Sequence, residues 1–150
     1  MLNDIYNFKK LSPLLAASGQ PDAQEFVDIA RAGYTVVLNL ALHDDPRYSL
    51  ADERGTVEGL GMKYLHIPVH FVAPTDEDFD SFVAAMDKNQ HQPVLVHSAA
   101  NKRVSSFLGL YWHLRHRKPI AEAFARQRDI WEPDAVWSEF IARKLFAIKG

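Results

Sequence analysis

Residues 93–107 read Pro-Val-Leu-Val-His-Ser-Ala-Ala-Asn-Lys-Arg-Val-Ser-Ser-Phe, which predicts a strand, a short loop and a helix in direct succession. Residues 94–96 form an aliphatic, β-branched run of the kind that a parallel sheet buries on both faces. The apolar positions that follow repeat with the period of one helix face: Val104, Phe107, Leu108 and Tyr111. Only the six residues 98–103 are left to connect the strand to the helix.

A connection this tight directs its loop amides and the helix N-terminus toward one point, and such a point suits an anion. Asn101 lies in the middle of the loop and tolerates left-handed backbone, so a positive φ is predicted there. Arg103, in the first helical turn, can place a planar fork over two oxygens of the same anion. The residues therefore predict a loop that binds phosphate or sulfate, composed of Ser98, Ala99, Ala100, Asn101, Lys102 and Arg103.

The pattern His97-Ser98-x-x-Asn101-x-Arg103 resembles the signature loop of the cysteine-dependent phosphatases of the tyrosine and dual-specificity class. That motif reads His, Cys, five variable residues and Arg, with Gly usual where Asn101 stands. The exchange of Gly for Asn resembles a bacterial phosphatase-like subgroup within this class. Further blocks extend the resemblance over residues 7–145: Ser18-Gly19-Gln20-Pro21, Val37-Leu38-Asn39-Leu40, His66-Ile67-Pro68-Val69 and Ile130-Trp131-Glu132-Pro133.

The resemblance implies a phosphomonoester hydrolase without a cofactor, but the nucleophile position holds Ser98 and the chain contains no cysteine. The family uses a thiolate to attack phosphorus and then to leave again. A serine hydroxyl stays protonated near neutral pH and leaves poorly from a phosphoserine. We therefore expect a phosphatase that is inactive or nearly so, or alternatively a pseudophosphatase that binds phosphate without turnover. The sequence leaves open whether Ser98 is native or an engineered exchange.

The resemblance also assigns supporting roles. It implies that His97 forms hydrogen bonds within the loop and tunes the nucleophile. The family places a hydroxyl directly after its arginine to ease departure of the thiolate. Because Val104 stands there, Ser105 is the residue that takes this role.

A phosphatase of this class needs a general acid to protonate the leaving oxygen. The family supplies an Asp from the loop after the preceding strand, but residues 70–75 contain no carboxylate. Asp76 is the nearest and is the candidate acid, although its place in the first turn of a helix also suits a cap. His70 can donate a proton as well, since an unperturbed histidine titrates close to neutral pH.

The rest of the chain alternates strands with helices, which predicts an α/β fold with a mostly parallel central sheet flanked by helices. At 150 residues the chain is long enough for one domain and short for two, so residues 1–150 are expected to form a single phosphatase-like domain. In a parallel sheet its site is expected at the carboxyl end of the strands. Three further strands are expected at residues 14–18, 34–40 and 62–69. Helix caps and apolar stripes mark five other helices: residues 22–33, 50–60, from 75, from 119 and around 137–145. The loops at residues 43–49 and 70–75 are expected to shape the pocket.

Composition excludes several classes of protein. A net charge of −2 lacks the basic excess of a nucleic-acid binder. No apolar run approaches about 20 residues, so no membrane span is expected and the cytoplasm is the expected location.

His66 and His70 lie about 13 Å apart on a strand, too far to share a metal ion. The expected ligand is phosphate, sulfate or a phosphomonoester, which a phosphoprotein partner could carry.

Overall fold

The computed structural model describes residues 2–42 and 49–146. Its five strands are β1 (Lys9–Ser12), β2 (Leu15–Ser18), β3 (Val36–Asn39), β4 (Lys63–His66) and β5 (Val94–His97). Its helices are α1 (Ala23–Arg31), α2 (Glu53–Gly59), α3 (Asp76–Lys88), α4 (Lys102–Leu114), α5 (Ile120–Ala123), α6 (Ala125–Ile130) and α7 (Ala135–Phe146), preceded by a 3-10 turn at Leu2–Asp4.

The strands form one sheet in the order β1-β2-β5-β3-β4. β5 pairs in parallel with β2 and β3, and β3 pairs in parallel with β4, which confirms the predicted mostly parallel sheet. The antiparallel edge strand β1 was not predicted. Its sequence, Lys-Lys-Leu-Ser, alternates between half-buried and exposed positions and carries two lysines, as edge strands commonly do. It therefore lacks the continuous apolar run that marks the central strands.

The central strand β5 separates two apolar cores. Val94 and Val96 face a core shared with α3, α4 and α7, while Leu95 faces a core shared with α1. Since side chains alternate across a strand, this pattern confirms that the run is buried on both faces. α4 contacts β2 and shares the core that contains Val94 and Val96, and its residues 103–111 are buried.

The predicted helix starts near residues 22 and 75 are confirmed. Asp22 accepts from the amide of Glu25 in a full capping box that opens α1, and Thr75 and Asp78 form the second box, at α3. The strands predicted at residues 14–18, 34–40 and 62–69 are shorter than predicted, because their ladders span only four residues. No helix in the described ranges is both long and apolar enough to cross a membrane. Of the predicted pocket loop 43–49, residues 43–48 lie outside the described residues.

Candidate active site

The loop between β5 and α4 has the predicted left-handed turn. Asn101 has φ 65° and ψ 9°, so its predicted positive φ is confirmed. Its Nδ2 donates to the carbonyl of Asn7 at 2.9 Å, and Nδ2 of Asn7 donates to the carbonyl of Ala100 at 3.0 Å. These reciprocal bonds clamp the loop to the N-terminal segment.

The carbonyl of Ala99 accepts from the backbone amide of Gln20 at 3.0 Å. Because a trans peptide points its carbonyl and its amide in opposite directions, this bond turns the amide of Ala100 to the other side of the loop. The loop is therefore held in its turned shape by bonds on its outer side.

Replacing Asn101 tests this backbone. Valine is β-branched and disfavours positive φ, so Asn101→Val should destabilise the protein by roughly 1–2 kcal/mol and weaken phosphate binding as well. Asn101→Gly keeps the backbone and loses only the bond to Asn7, so it should retain most of the phosphate affinity. Chemical denaturation and calorimetry check both variants. Equal phosphate affinity in the Val and Gly variants would contradict a role for the left-handed turn.

A cleft of about 260 Å³ opens over the loop and is lined by Tyr6, Phe71, Ser98, Ala99, Ala100, Lys102 and Arg103. The structure thus brings five of the six predicted loop residues to one cavity, and Asn101 shapes the turn beneath it. Tyr6 and Phe71 were missed as site residues. Phe71 lies in the loop that was expected to shape the pocket, whereas nothing in the sequence pattern marks Tyr6.

Tyr6 reaches the cleft because Gly19 lets the N-terminal segment approach. A Cβ at Gly19 would lie 2.9 Å from the Tyr6 ring and 2.9 Å from the carbonyl of Ala99. The amide of Gly19 also donates to the carbonyl of Tyr6 at 2.7 Å. The Tyr6 side chain is 59% exposed and forms an outer wall of the cleft.

Arg103 is fixed at the cleft by its surroundings. Its Nη1 donates to the carbonyl of Val69 at 2.8 Å, and the guanidinium lies 5.6 Å from the centre of the Phe71 ring. It is only 8% exposed. The guanidinium is therefore buried and oriented, as a strong anion partner requires.

The loop is one residue shorter than the phosphatase signature motif that it resembles. Four residues separate Ser98 from Arg103, where that motif has five, and the position where its arginine would fall holds the fully buried Val104. One residue along a helix is a rotation of about 100°. Arg103 nevertheless lines the same cavity as Ser98. The shorter loop thus still brings the arginine to the nucleophile position.

Ser98 lies on the cleft floor. Its amide donates to the carbonyl of Ser18 at 3.3 Å, while its Oγ is buried and has no hydrogen-bond partner among the described residues. Nδ1 of the preceding residue, His97, likewise has no hydrogen-bond partner among the described residues. Ser98 and His97 therefore share no hydrogen bond that would activate the hydroxyl.

His97 is held by Glu53, which lies near the start of the helix predicted at residues 50–60. Its Nε2 lies 2.9 Å from Oε2 of Glu53, and both side chains are completely buried. Glu53 also accepts from Tyr64 Oη at 2.7 Å and from Gln20 Nε2 at 2.5 Å. Asp52, the N-cap of α2, stays at the surface. The sequence could not separate the two, because the strands that bury Glu53 are distant in the chain.

Burial alone would raise the pKa of Glu53, but the electrostatic attraction and hydrogen bond of His97 and the donors Tyr64 and Gln20 lower it to about 2. The pKa of Tyr64 rises because of its own burial and then because of the Glu53 charge. The buried carboxylate is thus ionised at any ordinary pH.

This pKa predicts acid sensitivity. A carboxyl whose pKa is lowered by folding stabilises the protein above its unfolded pKa, and that stability is lost as the pH falls toward the folded pKa. We expect the free energy of unfolding to fall by a few kcal/mol as the pH drops from about 4.5 to about 2. Glu53→Gln should flatten this slope, while Glu58→Gln, an exposed exchange on the same helix, should keep it. Denaturation midpoints across this range check the prediction, and an equally steep slope in Glu53→Gln would contradict it.

The remaining predicted site residues lie elsewhere. Asp76 pairs with Arg143 at 2.8 Å and with Lys144 at 3.4 Å, and is not among the residues that line the cleft. Its hydrogen bond to Arg143 holds its pKa below the usual range, so at neutral pH it has no proton to give. The structure therefore does not support Asp76 as the acid, because α7 occupies its carboxylate.

Ser105 and His70 are also away from the cleft. Ser105 donates to the carbonyl of Lys102 at 3.2 Å and borders a separate small cavity. His70 is exposed, and its carbonyl accepts from Ala73 in a turn. Among the residues that the structure describes, no cluster of three or more His, Asp or Glu side chains could hold a metal ion.

Solved structures of other proteins share this fold. A DUF442 phosphatase-like protein from Shewanella putrefaciens CN-32 is 32% identical and has a TM-score of 0.86, with 99% of this chain and 97% of that chain covered. TpbA from P. aeruginosa has a TM-score of 0.72 at 20% identity, covering 97% of this chain and 92% of that chain. At such identity, TpbA shows the fold alone.

Comparison of sequences gives a partial relative and a family. The beta-lactamase hydrolase-like protein of Xylella fastidiosa is 33% identical over 91 residues. This match covers 59% of this chain but only 21% of that much longer protein. The family described as DSP-PTPase phosphatase fused to NAD+ kinase matches residues 7–135. The chain therefore belongs to this family of tyrosine and dual-specificity-type phosphatases.

Proposed function

We propose that the cleft over residues 98–103 binds a phosphomonoester, and that the chain is a cysteine-type phosphatase domain that is inactive or nearly so with Ser98 at the nucleophile position. One observation carries the proposal: Ser98 and the buried Arg103 line a single cavity, and the left-handed Asn101 shapes the loop beneath it. Loop amides at a helix N-terminus together with a guanidinium are the groups that bind a phosphate dianion.

Lys102 adds a second positive charge to the rim of the cleft. Its Nζ lies 5.4 Å from the Trp131 ring centre and 6.0 Å from the Phe71 ring centre. These rings hold the ammonium near the loop, since aromatic faces attract cations. Two cations and no carboxylate among the described lining residues favour an anionic ligand.

The chemistry requires a nucleophile that can also leave. A thiolate at position 98 would attack phosphorus as the ester P–O bond breaks, and the departing oxygen would take a proton from solvent water. A second water would then hydrolyse the thiophosphate and release phosphate and the thiolate. Ser98 keeps its proton, because no described side chain accepts from its Oγ. His97 directs its Nε2 to Glu53 instead. A serine hydrolase mechanism at Ser98 is thus disfavoured as well.

The alternative function is a pseudophosphatase or a non-catalytic phosphate-binding module. The described lining of the cleft offers no carboxylate to act as general acid, since Asp76 is paired with Arg143 in the last turn of α7. A site that only binds a phosphate needs neither a nucleophile nor an acid. TpbA, which shares this fold, was crystallised in complex with phosphotyrosine in a form in which a cysteine is replaced by serine.

The test uses the chain as it stands. Titration calorimetry with inorganic phosphate and with an aryl phosphate should show binding of both, and a phosphate-release assay should show no more than trace hydrolysis. Rapid hydrolysis by the unmodified chain would contradict the proposed inactivity. Binding of neither anion would remove the phosphate site.

A further inference from the structure

The buried carboxylate of Glu53 contacts His97, the residue directly before the nucleophile position. Burying an ionised carboxylate is costly unless every oxygen finds a partner. Here Oε1 accepts from Gln20, and Oε2 accepts from both Tyr64 and His97. All three neighbours act as donors to one anion. Because the anion can only accept, Nε2 of His97 must carry a proton.

The donors around Glu53 are themselves oriented. Asn39 of β3 donates from Nδ2 to the Tyr64 hydroxyl at 3.0 Å, and its Oδ1 accepts from the amide of Ala41 at 2.8 Å. Arg54 lies 5.0 Å over the Tyr64 ring. These contacts come from β3, from the residues that follow it and from α2. Together they orient the Tyr64 side chain, which in turn holds the Glu53 carboxylate in place.

Glu53 reaches the phosphate loop by two routes. The first is His97, which ends β5 and is bonded directly to Ser98. The second is Gln20, whose side chain donates to Glu53 while its backbone amide holds the carbonyl of Ala99. These contacts therefore connect Glu53 to Ser98 and Ala99, the first two residues of the loop.

The second ring nitrogen of His97, Nδ1, forms no hydrogen bond with the described residues. Nδ1 is buried and has no partner among the described residues. The ring is packed edge-on against Phe26, with centroids 5.9 Å apart, and Phe26 offers no hydrogen bond. The bond from Nε2 to Glu53 is thus the polar contact that decides the orientation and the tautomer of His97.

We propose that Glu53 is a positioning residue for the nucleophile position: it fixes which nitrogen of His97 carries the proton and thereby sets the electrostatic environment of the side chain at position 98. The inference rests on the proposed function of this loop. Glu53 does not line the cleft, so it acts through His97 and Gln20 rather than on the ligand.

The direct test reads His97 in the chain that still carries Ser98. Nitrogen NMR shifts, assigned by their loss in His97→Gln, should show a single tautomer protonated on Nε2 in the unmodified chain and in Glu58→Gln. In Glu53→Gln the shifts should move toward a mixture of tautomers. Unchanged His97 shifts in Glu53→Gln would overturn the proposal, and this readout does not depend on activity.

The second test places a thiol at position 98. In the Ser98→Cys background, the rate of alkylation against pH reports the titration of that thiol. Glu53→Gln should displace the midpoint by about half a pH unit or more, and Glu58→Gln should leave it in place. Tyr64→Phe, which removes one donor but keeps the carboxylate, should give a smaller displacement. If Glu53→Gln fails to fold, Tyr64→Phe decides, and an undisplaced midpoint overturns the proposal.

Measuring turnover distinguishes a failure of this inference from a failure of the proposed function. If Ser98→Cys hydrolyses an aryl phosphate but Glu53→Gln leaves the thiol midpoint unchanged, the positioning role fails and the phosphatase assignment stands. If the midpoint shifts but no variant binds or hydrolyses phosphate, the positioning role stands and the phosphatase assignment fails. A role for Glu53 in stability alone would lower the melting temperature and move neither His97 nor the thiol.

Discussion

The Ser98→Cys variant should hydrolyse an aryl phosphate at least about 10³-fold faster than the chain as written, because a single nucleophile commonly accounts for that much or more of a rate. Position 98 lies on the floor of a cavity that also contains the buried Arg103. A thiol there lies beside loop amides and a helix N-terminus, which lower its pKa toward the thiolate. The measurement is phosphate release against pH, with Ser98→Ala as the matched control.

Two substrates make this experiment sharper. An aryl phosphate has a good leaving group and needs little help from an acid, whereas an alkyl phosphate depends on one. Because no carboxylate is among the described residues that line the cleft, we expect a large gap in rate between the two. Equal rates would mean that an acid outside the described lining serves the site. Phosphate binding without turnover on either substrate would favour the pseudophosphatase.

Arg103→Ala should weaken phosphate binding by about 2–4 kcal/mol, the usual loss when a charge-assisted, bidentate partner is removed. This corresponds to roughly a 30- to 1,000-fold increase in the dissociation constant. The side chain is buried at the cleft and held by the Val69 carbonyl, so its charge acts in a poorly solvated place. Arg126→Ala, on an exposed arginine outside the cleft lining, is the matched control for calorimetry. Unchanged affinity in Arg103→Ala would exclude this residue from the site.

The features that depend on neighbouring residues were predictable from the sequence. The apolar run at residues 94–96 marks a buried strand, because each side chain meets a core on one face or the other. The left-handed turn at Asn101 follows from the shortness of the loop. The capping box at Thr75 needs only residues three positions apart. For such features, local chemistry and tertiary structure agree.

The features that depend on distant residues were not predictable in this way. Glu53 reads as a surface residue at the start of a helix, and only the packing of α2 beside β4 turns it into the partner of His97 on β5. Tyr6 reaches the cleft through the close approach at Gly19. Asp76 has the sequence position of an acid but is paired with Arg143 of α7, 67 residues away. Each of these placements depends on contacts between elements that no sequence period reveals.

The central claim is that position 98 is where phosphorus is attacked, above a loop that holds the phosphate. The most direct test is to quench the Ser98→Cys variant during turnover of an aryl phosphate and map covalent phosphate by mass spectrometry. The account predicts a phosphoryl group on the peptide that contains position 98, absent in Ser98→Ala and strongly reduced with Arg103→Ala. Turnover with no adduct at position 98, or with the adduct on another residue, would contradict it.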